Sequence, residues 1–417
     1  MLTDYICALD IGSSKIAACV AEVKRRQIIN IYSEIMPSKG IKRGSIVDSI
    51  ELVNCVGKIL KKLKSKSAIN IKSIYTDISG VDIITKHSRA VLPFADRGNK
   101  LITSQDIEKA NEQALILGSD IDEEVIHRIP FSYTVDSKSD ISNPLGLYGH
   151  KMEVDLYLVC GKLSSIQTIT HIINQAGYEI KELFFSGLAT SEVVFNDEFK
   201  KGTNIICDMG SDITELLLFK DGVIKDIRIL PLGGGDLTEA LMDSLNIPFD
   251  LAEAIKFSYG VIGDSSLIAE DKEALIKNDN IYKPIKQRVV SEIITSEAKS
   301  MCEVLKDNAE KNVHLSEIDN FILTGRTMLQ DGFLEMLEVI LGIPVEFGRI
   351  SHPQILPFLN KNPDFSGRKY LAYLTSLGLI CKELYGYQSQ TLSFSQPAKN
   401  PILKAINKVK EIYQEYF

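Results

Sequence analysis

The chain has 417 residues, 45% hydrophobic and 24% charged, and its 47 Lys and Arg face 55 Asp and Glu for a net charge of −8. At about 100–200 residues per domain, that length holds two to four packed units, and the composition excludes wholesale disorder. The acidic balance argues against a nucleic-acid partner, which calls for a basic footprint.

Seven cysteines (Cys7, Cys19, Cys55, Cys160, Cys207, Cys302 and Cys381) stand singly with no C-x-x-C, and the six histidines show no metal spacing. They read as small hydrophobes of a reducing cytosol, not as a disulfide framework. The opening MLTDYICALDIGSSKI lacks the basic and apolar regions of a secretory leader. No run approaches the roughly 18–20 apolar residues of a spanning helix, so a soluble chain is expected, anchored at most peripherally.

In chain order, Ile6–Ile11 and Ile16–Val23 are apolar, β-branched-rich strands broken by Gly12-Ser13-Ser14-Lys15, and Ile28–Ile35 is a third. From Asp48, Ile50, Val53, Val56, Leu60 and Leu63 recur at helical spacing, with lysines on the other face. Within that helix the basic run Lys58–Lys66 reads as a solvated face. His127, before Ile129-Pro130, and His150 have neither a paired nucleophile nor metal spacing, so structural hydrogen bonding is expected of both.

The opening order then returns. Ile205–Met209 is a strand, Gly210-Ser211-Asp212 a turn, and Thr214–Phe219 a strand; Lys220-Asp221-Gly222 is a hairpin turn and Val223–Leu232 a third strand. Gly233-Gly234-Gly235 leads into a helix over Asp236–Leu245. Two such units, each three strands and a helix, predict two homologous lobes in a duplicated α/β fold. The polar stretch Gly263–Lys286 reads as a surface excursion.

The turn residues suggest chemistry. Asp10 ends a strand, Gly12 is expected to turn the backbone with positive φ, and Ser13, Ser14 and the backbone N–H groups make an anion-binding nest. Lys15 adds a point charge suited to phosphate. One D-x-G-S turn is an ordinary hairpin. Two in matching context predict opposed clamps on a polyphosphate, with Asp10 and Asp208 holding hydrated Mg²⁺.

ALDIGSSK at Ala8–Lys15 and CDMGSDIT at Cys207–Thr214 resemble the phosphate hairpins of the actin, DnaK-chaperone and sugar-kinase superfamily. FILTG at Phe321–Gly325 is similar to its adenosine motif, and Glu253 and Lys256 in AEAIKFSYG to the E-x-x-K helix beside the ribose. LPLGGGDLTEAL at Leu230–Leu241, GIKRGSIVDSIE at Gly40–Glu51, and His127–Val159 with its Asn143-Pro144-Leu145-Gly146 narrow the resemblance to the bacterial FtsA family. It runs from about residue 3 to 385.

The resemblance implies an actin-like ATP-binding protein, built of βββαβα repeats, that forms protofilaments and tethers the FtsZ C-terminal tail to the cytoplasmic face of the inner membrane at the division site. It also implies recruitment of later division proteins. The implied layout is a first lobe at 1–83, continued at 162–195 and 353–385, with an inserted subdomain at 84–161. A second lobe would span 196–348, its outer part, about 235–306, offering the FtsZ groove. ATP and Mg would be held by Asp10, Gly12, Ser13, Ser14, Lys15, Asp208, Gly210, Ser211 and Thr214, with Gly233, Gly234, Glu253, Lys256, Gly325 and Arg326 around ribose and adenine.

Several positions depart from the family pattern. Asp212 would repel a γ-phosphate unless it points outward or meets a cation, and Ile213 removes a hydroxyl. Arg326 replaces a glycine, to stack on adenine or crowd it. Ser186 stands where some relatives carry an acid that positions water, and a neutral hydroxyl is a poor general base. Nucleotide binding with slow or absent hydrolysis is therefore expected.

The tail divides in two. Residues 386–400 are rich in Ser, Gln and Gly, a flexible linker of about 20 Å reach. Pro401 then opens an amphipathic helix over 401–417. Ile402, Ile406, Val409, Tyr413, Tyr416 and Phe417 form its apolar side, and Lys404, Lys408 and Lys410 suit an anionic membrane surface. Docking on the protein's own surface is the plainer alternative for such a helix. Two other assignments compete for the whole chain: a small-molecule kinase of the same fold, and a pilus-assembly type of actin-like scaffold.

Overall fold

The computed structural model describes residues 4–94, 98–196, 199, 201–269, 273–278 and 281–385. The linker and the amphipathic helix expected beyond Tyr385 lie outside the described residues.

Each lobe is built on a five-stranded sheet, and the two sheets share one plan. In the first, the order is Glu179–Phe185, Ser73–Ile78, Asp4–Ile11, Lys15–Lys24, Gln27–Pro37. In the second it is Val345–Phe347, Asn320–Thr324, Thr203–Met209, Thr214–Lys220, Val223–Leu230. In both, the first strand runs antiparallel to its hairpin partner on one side and parallel to a later strand on the other. The duplication expected from the repeated turns is thus present in topology. The Lys220–Gly222 hairpin turn has the expected geometry, with Asp221 at φ 50 and Gly222 at φ 75.

Both first strands are buried on the two faces, as parallel neighbours with helices above and below require. The helix Ser49–Ser67 begins at Asp48, whose carboxylate accepts the Glu51 N–H as an N-cap. It buries Leu52, Cys55, Val56, Ile59, Leu60 and Leu63, whereas Ile50, counted in the expected stripe, is 75% exposed in the first turn. Its lysines are solvated, and Lys66 reaches Asp364 and Glu34. The closing helix Leu374–Tyr385 returns to the first lobe and packs on Ser186–Val194. A Cβ at Gly378 would lie 1.8 Å from the Ala189 carbonyl, so only glycine permits that approach.

Between the halves of the first lobe lies a separate four-stranded sheet, ordered Lys138–Ile141, Glu123–Val135, Lys151–Lys162, Ile83–Pro93. The helix Ser104–Gly118, closed by a Thr103–Asp106 capping box, covers this sheet and gives it its own core. His127 is buried at its junction with the lobe and accepts the Phe185 N–H at 2.9 Å. Burial holds its pKa down at about 3, so it is a neutral structural acceptor. His150 donates its backbone N–H to Asp136, also structurally. In the outer second lobe, the stretch read as a surface excursion carries a hairpin, Glu273–Asn278 with Ile281–Lys286.

Candidate functional site

The two hairpin turns face each other across one cleft. Gly12 N–H donates to the Lys15 carbonyl at 2.9 Å, and Gly210 N–H to the Ile213 carbonyl at 2.9 Å, so the turns are structural copies. Gly12 is not among the positive-φ residues, contrary to the expectation from its turn. A Cβ there would sit 3.1 Å from the Lys15 carbonyl, a tight approach that the turn could accept only by shifting a few tenths of an ångström. At Gly325 the argument is conformational as well, since φ is +88 and a Cβ would lie 2.2 Å from the Met209 carbonyl.

A cavity of about 280 Å³ lies between the turns, lined by Asp10, Gly12, Ser13, Ser14, Lys15, Asp208, Gly210, Ser211, Gly325 and Arg326 from the expected set. A second cavity of about 380 Å³ continues from it, sharing Ser14, Lys15, Ser211 and Arg326 and adding Gly234, Glu253 and Lys256.

Two expected residues are not brought to this space. Thr214 is buried and donates its hydroxyl to the Leu232 carbonyl, so it ties its strand to the segment that follows Val223–Leu230. Gly233 caps the helix Gly234–Leu245 through Asp236, and a Cβ there would meet the Ser211 carbonyl at 2.4 Å. Its role is to let that helix start close beneath the second turn.

Acids crowd the cleft. Asp10 forms an ion pair with Lys15. Asp77, Asp208 and Glu215 share the same walls, and Asp77 and Glu215 are buried. The helix Ser186–Val194 aims hydroxyls at two of them: Ser186 donates to Asp77, and Thr190, one turn on, to Asp208 at 2.9 Å. Ser79 donates to Glu215 from the opposite lobe.

Burial, aided by the neighbouring Asp10, pushes the Asp77 carboxyl up to about 7. Burial also raises Asp208, and raises Glu215 further with Asp208 and Asp77 beside it. Asp77, Ser79 and Glu215 were missed in the sequence. The signal was there for the first two: Asp77-Ile78-Ser79-Gly80 ends a strand with an acid and a glycine turn, as Asp10–Ser13 does, and ligands gather at such strand ends.

Asp212 does not aim its charge at an empty nest. Its Oδ2 accepts the Arg43 backbone N–H at 2.8 Å, and its Oδ1 accepts the Ser211 hydroxyl at 2.9 Å. Arg43 and Gly44, at φ 50 and 72, form the tight turn between Ile41–Lys42 and Ser45–Ile46. Gly44 N–H reaches Ser13 Oγ at 3.4 Å, so this small hairpin touches both phosphate-type turns.

In the second cavity, Lys256 is buried and donates to the Gly234 carbonyl, Thr238 Oγ1 and Glu253 Oε2 at 2.7–2.8 Å. Burial lowers its pKa. Three donors meet three acceptors, so the ammonium fastens the helices Gly234–Leu245 and Phe249–Tyr259 together.

Duplicated sheets with facing glycine turns and a nucleotide-sized cleft between them define the actin-like ATPase fold. Solved structures agree. The PilM–PilN type IV pilus biogenesis complex matches with TM-score 0.61 and 15% identity over 91% of this chain and 98% of that one. MreB5 of Spiroplasma citri bound to ADP matches with TM-score 0.50 and 9% identity over 92% and 98%.

Two family models match: the SHS2 domain inserted in FtsA over residues 80–160, and cell division protein FtsA over 205–369. Relatives named cell division protein FtsA are 26% identical in Borreliella burgdorferi, over 98% of this chain and 96% of the relative, and 25% in Neisseria meningitidis, over 90% and 89%. That of Escherichia coli K12 is 24% identical over 90% and 89%. The chain belongs to the FtsA family and is an actin-like cell-division protein.

Proposed function

We propose that the cleft binds ATP with Mg²⁺ and that the protein is a nucleotide-dependent adaptor holding FtsZ to the cytoplasmic face of the membrane. The observation that carries the nucleotide reading is the pair of equivalent turns facing each other across one cavity, with Asp10 and Asp208 at their strand ends. The residues fit the group. The first cavity is lined by Asp10, Asp77, Asp82, Asp208, Asp212 and Glu215 against Lys15 and Arg326, so a polyphosphate needs a divalent cation to enter.

Among the described residues no group of three or more His, Cys, Asp or Glu is arranged to hold a metal directly. A hydrated Mg²⁺ would be held by Asp10 and Asp208 through water, where it would neutralise phosphate charge. Gly12, Ser13, Ser14, Gly210 and Ser211 would cradle phosphates, and Lys15 would exchange Asp10 for phosphate. Gly234, Glu253, Gly325 and Arg326 would surround ribose and base, with Lys256 fixing Glu253. Ser186, already donating to Asp77, supplies no base, which supports slow or absent hydrolysis.

The membrane link rests on the tail sequence; among the described residues no helix is long and apolar enough to cross a bilayer. FtsZ contact through the outer second lobe, protofilament formation and recruitment of later division proteins follow from family membership. Calorimetry of the full chain with MgATP tests the core of the reading. The expected result is micromolar binding that disappears in Asp10→Ala and in chelator; no binding at millimolar ATP would refute it.

A further inference from the structure

The second cavity has an uneven polar lining. Ile35, Met36, Pro37, Leu237 and Phe257 supply apolar walls suited to a flat ring. Lys256, the obvious donor, is consumed internally. Arg326 stands where the two cavities meet, and Glu253 is held by Lys256 and Thr238; deeper polar contact falls to Gln330, which lines the cavity beside Thr327.

The Gln330 amide cannot turn freely. Its Nε2 donates to the Gly260 carbonyl at 2.6 Å, and the reversed amide would set oxygen against oxygen. Gly260 closes the helix Phe249–Tyr259, and the backbone at Gln330 is itself fixed by its N–H to the Thr327 carbonyl at 3.0 Å. Oε1 is thereby left as an oriented acceptor with no partner among the described residues.

A molecule with phosphates between Gly12 and Gly210 enters the second cavity past the shared Ser14, Lys15, Ser211 and Arg326, which puts its base at the far end. We propose that Gln330 selects the base of the bound nucleotide, its Oε1 accepting from an exocyclic amine and rejecting a carbonyl at the same ring position. This rests on the nucleotide-binding reading. It assigns the site to 6-aminopurine nucleotides over 6-oxopurine ones, where Oε1 would face another acceptor.

The experiment is equilibrium binding of MgATP and of MgITP, which differ in that amine and carbonyl and in the N1 proton that the 6-oxo form carries, to the full chain and to Gln330→Leu. The expected wild-type preference for ATP is about ten- to a hundred-fold, the effect of one buried acceptor made or opposed. In Gln330→Leu the preference falls to within about three-fold, mainly through weaker ATP binding.

Retained ITP affinity in the variant shows that the cleft is intact. Wild-type binding of ATP and ITP with equal affinity overturns the proposal, as does a full preference surviving in Gln330→Leu. Failure of wild type to bind either nucleotide removes the nucleotide reading itself, and this inference with it.

Discussion

Replacing Asp77 by Asn should make this protein more stable, and more so as the pH rises. The Asp77 carboxylate is 4% exposed, accepts the Ile11 N–H at 3.1 Å and the Ser186 hydroxyl, and lies beside Asp10. Burial and that neighbour lift its pKa from the ordinary 3.8 to about 7. The folded state therefore holds a proton that the unfolded chain has released, and stability falls with increasing pH between those two values.

At about 1.4 kcal/mol per pH unit, the loss is about 2 kcal/mol at pH 5 and about 4 kcal/mol above pH 7. Asn keeps both contacts, its oxygen taking the Ile11 N–H and its amide donating to Ser186 Oγ. Urea unfolding followed by circular dichroism from pH 5 to 8, with chelator present so that no divalent ion relieves the charge, should show the variant's advantage growing over that window. An advantage that stays flat with pH, or a variant less stable than wild type at pH 8, refutes the reasoning.

Asp212→Ala removes the acceptor that ties the Arg43 N–H to the second lobe, at a cost of about 1 kcal/mol. Amide exchange at Arg43 and Gly44 should quicken about five-fold, and unchanged protection would show that the small hairpin is held otherwise. A chain ending at Asn400 should lose co-sedimentation with anionic vesicles while keeping its melting temperature. Retained sedimentation would place any membrane contact outside residues 401–417.

The sequence by itself determined the duplication, because glycine turns after strand-ending acids repeat with matching hydrophobic patterns, and local chemistry suffices to read them. It likewise carried the family assignment and most of the residues that line the cleft between the turns. Only the tertiary structure decided which hydroxyls and acids meet. Thr214 and Gly233 have the composition of ligand-binding residues but spend their polar groups on Leu232 and Asp236.

Asp212 looked like a charge set against phosphate, until the chain at Arg43, far away in sequence, supplied its partner. Asp77 and Glu215 are ordinary strand residues until the first lobe's sheet sets Ser186 beside Asp77 and the meeting of the two lobes brings Ser79 to Glu215. Strand pairing and turn type are written within a few residues of the sequence. The state of a buried carboxyl depends on what long-range packing places beside it, and so appears only in the folded chain.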